Sequence, residues 1–362
     1  MEKVKKILVV AAMATTLVGI FLAHVILPDG QLSAAERRKL AQLPELTWDE
    51  VFSGDYFSDL EEYLLDQFPL RQTFRTLKAR FQYNVLGMRD NNDLYYVDGH
   101  LMKLDYPLKE SQAKLAIDKF NAVLDAHPQI GAAYYSLIPD KNYFLAEANG
   151  YPAMDYAALL EQARGINAEY IDIFPLLSID DYYRTDSHWR QECIVDVAQH
   201  LCSAMGTAAD GAEAYEQVGR EGFRGVYYGQ SALNVDSETL TTMISDVTES
   251  AAVKSLEHEE PLPVYNWDDF AGLDPYDVYL SGAEALITMD NPLQDNGSHL
   301  IVFRDSFGSS ISPLLLSGYS RVTLVDLRYI ASGLLDEYVD FTDADVLILY
   351  STAMFNAGAT LK

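Results

Sequence analysis

The most pointed chemistry in this chain lies in His299-Leu300-Ile301-Val302-Phe303-Arg304-Asp305-Ser306-Phe307-Gly308, where an apolar run ends in Asp-Ser and then reaches glycine. A serine hydroxyl is a weak nucleophile until a base takes its proton, and that base needs an acceptor to orient it. Seven histidines are available. Asp-x-His, which puts a base and its acceptor on one loop, occurs at Asp98/His100, Asp125/His127 and Asp186/His188. Spacing therefore does not choose among them, and context must. His100 falls in an Asp98-Gly99 turn. His127 falls at the end of a helical pattern, where a cation is favoured for other reasons. His188 falls in Tyr182-Tyr183-Arg184-Thr185-Asp186-Ser187-His188-Trp189, a polar loop between a strand and a helix. We expect Ser306 as nucleophile, His188 as base and Asp186 as orienting acceptor. Without chemistry, the same residues read as helix caps: Asp305-Ser306 for one helix, Asp186 or Ser187 for another.

An oxyanion formed at Ser306 needs N–H donors. The backbone N–H of Ser306 is the first candidate, because a turn leaves such groups free. Gly225, Gly282 and Arg328 are the further candidates for oxyanion or substrate binding. Each also has a structural reading: the glycines as turn or bulge residues, the arginine as half of a surface ion pair. Histidine and cysteine are too sparse and scattered for a zinc site, no phosphate-binding glycine loop is present, and no cofactor is expected.

The combination Tyr-Arg-Thr-Asp-x-His-Trp (183–189), a strand ending Asp-Ser-Phe (305–307), and Val-Asp-Leu-Arg-Tyr (325–329) resembles the DHHW protein family, which is similar to the SGNH-like domains of alginate O-acetyltransferases. Glu36-Arg37-Arg38-Lys39-Leu40-Ala41, Asp66-Gln67-Phe68-Pro69-Leu70-Arg71 and Tyr95-Tyr96-Val97-Asp98-Gly99-His100-Leu101 extend the resemblance over residues 36–350, with 206–260 the least matched. It implies an SGNH-hydrolase-like α/β fold in circularly permuted motif order, since Asp-x-His here precedes the serine. Triads are defined by geometry and not chain order. Two positions depart from the pattern. Ser187 replaces the first histidine of Asp-His-His-Trp, and Arg304 stands where Gly-Asp-Ser has its glycine.

Elements that position these residues follow from periodicity. Residues 47–86 have helical spacing, broken at 66–71 where Pro69 disfavours helix. Leu94–Val97 with Asp98-Gly99 reads as a hairpin. Thereafter helices over 108–126, 153–164 and 189–204 alternate with apolar strands over 130–138, 170–174, 299–303, 322–326 and 346–350. That order predicts a parallel sheet with flanking helices. Residues 206–260 read as an insertion with strands near 224–228 and 239–247. Pro313, with Ser312 as cap, predicts a helix start that leaves 307–311 as a loop over the site.

Ahead of all this, Lys3, Lys5 and Lys6 precede an uncharged run from Ile7 to Leu27, long enough to cross about 30 Å of hydrocarbon as a helix. The expected organisation is a cytoplasmic tail (1–6), a transmembrane signal-anchor (7–27), a stalk with N-terminal helices (28–93) and an SGNH-like α/β domain (94–362). Cleavage at Ser33–Ala35 is the less favoured alternative. The basic flank favours a single-pass bacterial membrane protein with its bulk extracellular. Against 26 basic residues stand 54 acidic ones, a balance that excludes nucleic acid as a partner. Cys193 and Cys202 fall in one predicted helix, about 13 Å apart along its axis, too far to bridge.

Together these readings predict an acyl-ester enzyme, an O-acetyltransferase or acetylesterase, acting on a cell-envelope or exopolysaccharide glycan. The resemblance implies an acyl donor supplied by a membrane-bound protein. The alternative is a non-catalytic glycan-binding or scaffold protein that keeps a relic of the triad.

Overall fold

The computed structural model describes residues 2–33 and 36–362. Ala34 and Ala35 of the candidate cleavage segment lie outside the described residues. The chain divides into two compact units, Met1–Asn91 with Gly229–Asn234, and Asn92–Tyr228 with Val235–Lys362.

The first unit begins with α1 (Glu2–Ile26), which has no buried residue. Among the described residues it is the one helix long and apolar enough to cross a membrane. A two-residue pair, β1 (Leu32–Ser33) and β2 (Arg38–Lys39), follows. Then come α2 (Trp48–Ser53), α3 (Asp55–Asp66) and α4 (Arg71–Asn84). The periodicity predicts two helices here and the structure has three. Gly54, at φ 93, ends α2 and begins α3, a left-handed conformation that glycine takes without a Cβ penalty.

The second unit opens with the hairpin β3 (Leu94–Val97) and β4 (His100–Lys103). It continues through α5 (Glu110–Ala126), β5 (Ala132–Ile138), α6 (Lys141–Leu145), α7 (Tyr156–Ala163), β6 (Glu169–Tyr170) and α8 (Val195–Ala204). Next come β7 (Glu216–Phe223), α9 (Val226–Ser231, of which Gly229–Ser231 count with the first unit), β8 (Glu238–Ile244), α10 (Asp246–Ser250), β9 (Ala252–Ser255) and β10 (Leu286–Asp290). The chain closes with β11 (His299–Arg304), α11 (Gly308–Leu315), β12 (Arg321–Val325), β13 (Asp345–Ser351) and α12 (Thr352–Phe355).

Seven strands form one sheet in the order β6-β5-β13-β11-β12-β10-β9. The first five run parallel, whereas β10 is antiparallel to both β12 and β9. The mixed α/β architecture agrees with the sequence. Two strands of this sheet, β9 and β10, do not follow from the sequence pattern, and β9 takes the end of the supposed insertion into the main sheet. Inside β11 the side chains alternate between two cores. Leu300 and Val302 join Val197, Leu201, Ile311 and Leu314 from α8 and α11 on one face. Ile301 and Phe303 join Ala116, Phe120 and Leu159 from α5 and α7 on the other. Burial on both faces explains why the strand reads as a continuous apolar run.

Three expectations fail locally. The helix predicted over 189–204 starts at Val195, because residues 181–190 fold back as a hairpin clip: Tyr183 N–H donates to His188 O and Arg190 N–H to Asp181 O. Cys193 therefore lies in a 3-10 turn (Gln191–Cys193), apart from Cys202 in α8, and both cysteines are free. No strand covers 224–228: Arg224 and Gly225 are irregular and α9 begins at Val226. Residues 307–311 are not a loop. Asp305 Oδ1 accepts the Phe307 N–H at 3.1 Å and starts α11 at Gly308, so Pro313 falls inside the helix.

Candidate active site

The carboxyl ends of β5, β11 and β13 lie side by side, with Ser351 in register with Ile138 and Arg304 with Leu349. A polar residue follows within two positions of each strand end, Asp140, Asp305 and Thr352, and in open α/β sheets this edge is where ligands bind. Asp305 ties two of the ends together, its Oδ2 accepting the Ser351 N–H at 2.9 Å. Asp140 and Thr352 tie the third, Thr352 Oγ1 donating to Asp140 Oδ2 at 2.9 Å. Asp305 thus takes up the Phe307 N–H just ahead of α11, and the Ser306 side chain makes no cap to that helix.

Ser306 Oγ lies 2.7 Å from His188 Nε2, and His188 Nδ1 lies 2.6 Å from Asp186 Oδ1. Accessibility falls in the same order: Ser306 is partly exposed, His188 is 7% exposed and Asp186 is sealed. A hydroxyl at solvent, an imidazole behind it and a carboxylate in the interior can move a proton off the serine and stabilise the resulting imidazolium. The rings around His188 fix its plane. Tyr276 stacks on it at 3.9 Å and 9°, and Phe307 lies tilted at 4.8 Å. Tyr276 is held by its hydroxyl, which donates to Ser310 Oγ at 2.8 Å.

Residues that follow the histidine bring the two distant segments together. Trp189 Nε1 donates to Ser310 Oγ at 2.8 Å, and Gln191 Nε2 donates to Ser310 O at 2.6 Å. The first turn of α11 is thereby bound to the Asp-x-His-Trp loop at several points. From the other side, Lys141 Nζ donates to the carbonyls of Tyr183 at 2.8 Å, Arg184 at 3.2 Å and Asp186 at 2.9 Å. Lys141 is buried, and burial pushes its ammonium down to about 7, with Asp186 and Glu238 pulling the other way. Glu238, at the start of β8, accepts from the Thr185 N–H at 2.9 Å and from its hydroxyl at 3.0 Å. The sequence points to none of Tyr276, Lys141 and Glu238. Only Lys141 leaves a signal, as a charged residue just beyond a buried strand in Ile138-Pro139-Asp140-Lys141.

The secondary candidates do different work. Gly225 gives its N–H to Thr185 Oγ1 at 2.9 Å. A Cβ there would collide with Asp186 Cβ. Its role is close approach, which lets the Val226 N–H reach Asp186 Oδ2 at 2.8 Å. Gly282 is a turn residue at φ 90 whose N–H goes to Tyr279 O. Arg328 is engaged with Asp326, Nη2 to Oδ2 at 2.6 Å. None of the three offers a donor to Ser306. Arg304, fully buried, faces the same Asp326 at 3.8 Å. The backbone N–H of Ser306 has no acceptor among the described residues and stays the candidate for the oxyanion. No cluster of metal-ligating side chains occurs among the described residues.

Comparison with known proteins agrees with the resemblance read from the sequence. The model of the DHHW protein family matches residues 167–325. No curated protein matches the chain. Among solved structures, a DHHW family protein from Eubacterium siraeum superposes with a TM-score of 0.59 at 19% identity, over 74% of this chain and 92% of that one. Bacillus cereus PatB1, solved with a sulfonyl adduct, gives 0.59 at 19% identity, over 73% and 98%. The O-acetyltransferase domain of Pseudomonas putida AlgJ gives 0.43 at 13% identity, over 73% and 92%. The first two share the fold of this chain.

Proposed function

We propose that this chain is an acyl-ester enzyme of the cell envelope that transfers or removes acetyl groups on a glycan. The observation that carries the proposal is the pair of contacts at 2.7 and 2.6 Å that joins Ser306, His188 and Asp186. In the proposed reaction Ser306 Oγ attacks the acyl carbonyl carbon while its proton passes to His188 Nε2. The Ser306 N–H donates to the oxyanion. Collapse expels the donor alkoxide, which leaves with the proton from His188, and an acyl-serine remains. A sugar hydroxyl or water then gives its proton to His188 and attacks the acyl group. Collapse returns that proton to Ser306 and releases the acetylated glycan or acetate. Asp186 holds the Nδ1–H tautomer throughout and stabilises the imidazolium.

The proposal includes anchorage by α1, with the α/β unit outside the cell, and a membrane-bound protein as acyl donor. The length and apolar character of α1 support the anchor, and the lysines before it support the orientation. The test is labelling of the full chain with a sulfonyl fluoride, alongside turnover of a chromogenic acetyl ester. Mass addition at Ser306 in the wild type, lost in Ser306→Ala and in His188→Ala with both variants folded, is the expected result. Neither labelling nor turnover in the folded wild type would refute catalysis and leave the scaffold reading.

A further inference from the structure

We propose that α3 and α4 form a foot that lies in the lipid headgroup zone of the bilayer crossed by α1, with a preference for anionic lipid. The proposal rests on the anchor reading above. Its first support is attachment. The C-terminal end of α3 is fixed to the residues directly after α1, where Tyr63 OH bonds Asp29 at 3.2 Å and Gln67 Nε2 donates to Gly30 O at 2.9 Å, and to Ala41 past β2, whose N–H Asp66 Oδ2 accepts at 2.9 Å. His24, in the last turn of α1, meets the Tyr63 ring edge-on at 5.4 Å. An open cleft of about 600 Å³ between these helices is lined by Val25, Ile26 and Leu27 on one side and Leu60 and Leu64 on the other. His24, Asp29 and Tyr63 also line this cleft, so the apolar end of α1 and the apolar row of α3 face one space with a few polar groups between them.

The second support is the pattern on the helices. Phe57, Leu60 and Leu64 recur at helical spacing along α3, as do Phe74, Leu77 and Phe81 along α4. Phe57, Leu64, Phe74, Leu77 and Phe81 are each between 44% and 61% exposed, far more than large apolar side chains on adjacent turns of a soluble helix. The third support is charge. In a chain of net charge −28, residues 71–89 contain Arg71, Arg75, Lys78, Arg80 and Arg89 and no acidic residue. Lys78 and Arg80 flank the aromatic row of α4 on either side and are exposed, as in helices that lie in a membrane interface. Arg71 and Arg75 are taken up by Glu36 and Asp66, and α3 carries Asp55, Asp59, Glu61, Glu62 and Asp66, so the anionic-lipid preference is assigned to Lys78 and Arg80 of α4. An aqueous protein partner would explain the apolar rows, but not their place beside a membrane-spanning helix.

The experiment uses the full chain in vesicles, with an environment-sensitive fluorophore at Leu64→Cys or Leu77→Cys and at the control positions Glu62→Cys and Gln72→Cys. The unsubstituted protein gives the background from native cysteines. Blue-shifted emission and quenching by a shallow nitroxide lipid are expected at positions 64 and 77 and not at 62 and 72. Both effects should strengthen when phosphatidylglycerol replaces part of the phosphatidylcholine, and Lys78→Gln with Arg80→Gln should remove that strengthening. Red, water-like emission at 64 and 77 would overturn the proposal. So would blue emission that no lipid nitroxide quenches, because protein would then cover the face. Alkaline extraction of the same vesicles separates the two readings. Protein that resists extraction but fails the fluorescence test refutes the foot alone, and protein that is extracted refutes the anchor and the foot with it.

Discussion

Asp186→Asn separates an orienting carboxylate from a structural one. Asp186 Oδ1 accepts from His188 Nδ1 at 2.6 Å and from the His188 backbone N–H at 3.1 Å, while Oδ2 accepts the Val226 N–H at 2.8 Å. Both oxygens therefore face donors, and an amide has only one oxygen to offer. With its NH₂ toward His188, the imidazole is driven to the other tautomer, Nε2 carries the proton, and Ser306 loses its base. With its NH₂ toward Val226, the tautomer survives but a buried N–H faces another donor. The Ser306 reaction is expected to slow about 10⁴-fold in the first arrangement, as in serine proteases with this change. The second strands a buried donor, which costs about 1–3 kcal/mol. The first arrangement also turns the NH₂ toward the His188 backbone N–H and strands that donor, so in it the variant should show a large drop in kcat/KM for an acetyl ester together with a Tm lowered by several degrees. The stability loss follows from the backbone N–H contacts of His188 in one arrangement and Val226 in the other, and the Val226 contact is not revealed by the sequence. Full activity with unchanged Tm would refute the reasoning, and a Tm loss with a rate within about 10-fold of wild type would reduce Asp186 to a structural acceptor.

Lys141→Met, of similar length, strips a donor from two buried carbonyls and one part-buried one and should cost about 2–4 kcal/mol in chemical unfolding; a change below about 0.5 kcal/mol would show that the clamp does not hold the loop. Gly225→Ala drives a methyl group into Asp186 Cβ and must move the loop, so sulfonyl labelling of Ser306 should fall even if the chain folds, and unchanged labelling would contradict that crowding. In the first unit, the hydrogen bond from Arg38 holds the Asp66 carboxyl down to about 2, from an ordinary 3.8. A depressed carboxylate stabilises the fold fully above its unfolded value, and that stabilisation is lost as pH falls from about 3.8 to 2. The Ala41 amide resonance, which reports on Asp66, should titrate near 2 in the wild type and nearer 3.8 in Arg38→Met; the same midpoint in both would refute the pairing.

Sequence by itself determined what depends on local pattern. Two-sided burial makes β11 and β13 unbroken apolar runs, and a basic flank with a long uncharged segment marks α1. A serine directly after a buried strand, with Asp-x-His on a loop before a helix, narrowed the chemistry to three residues. The fine boundaries were not legible, because long-range bonds override local preference: Asp305 starts α11 ahead of its proline, and the 181–190 clip delays α8. Tertiary structure alone decided the surroundings of the site. Nothing local to Tyr276, Glu238 or Lys141 records that they stack on His188, hold Thr185 or bind the Asp186 carbonyl, because each partner is supplied by a segment distant in the chain. Glycine patterns misled for the same reason. A glycine permits both an exposed N–H and a close approach, and only the packed neighbour, Asp186 beside Gly225, shows which of the two is used.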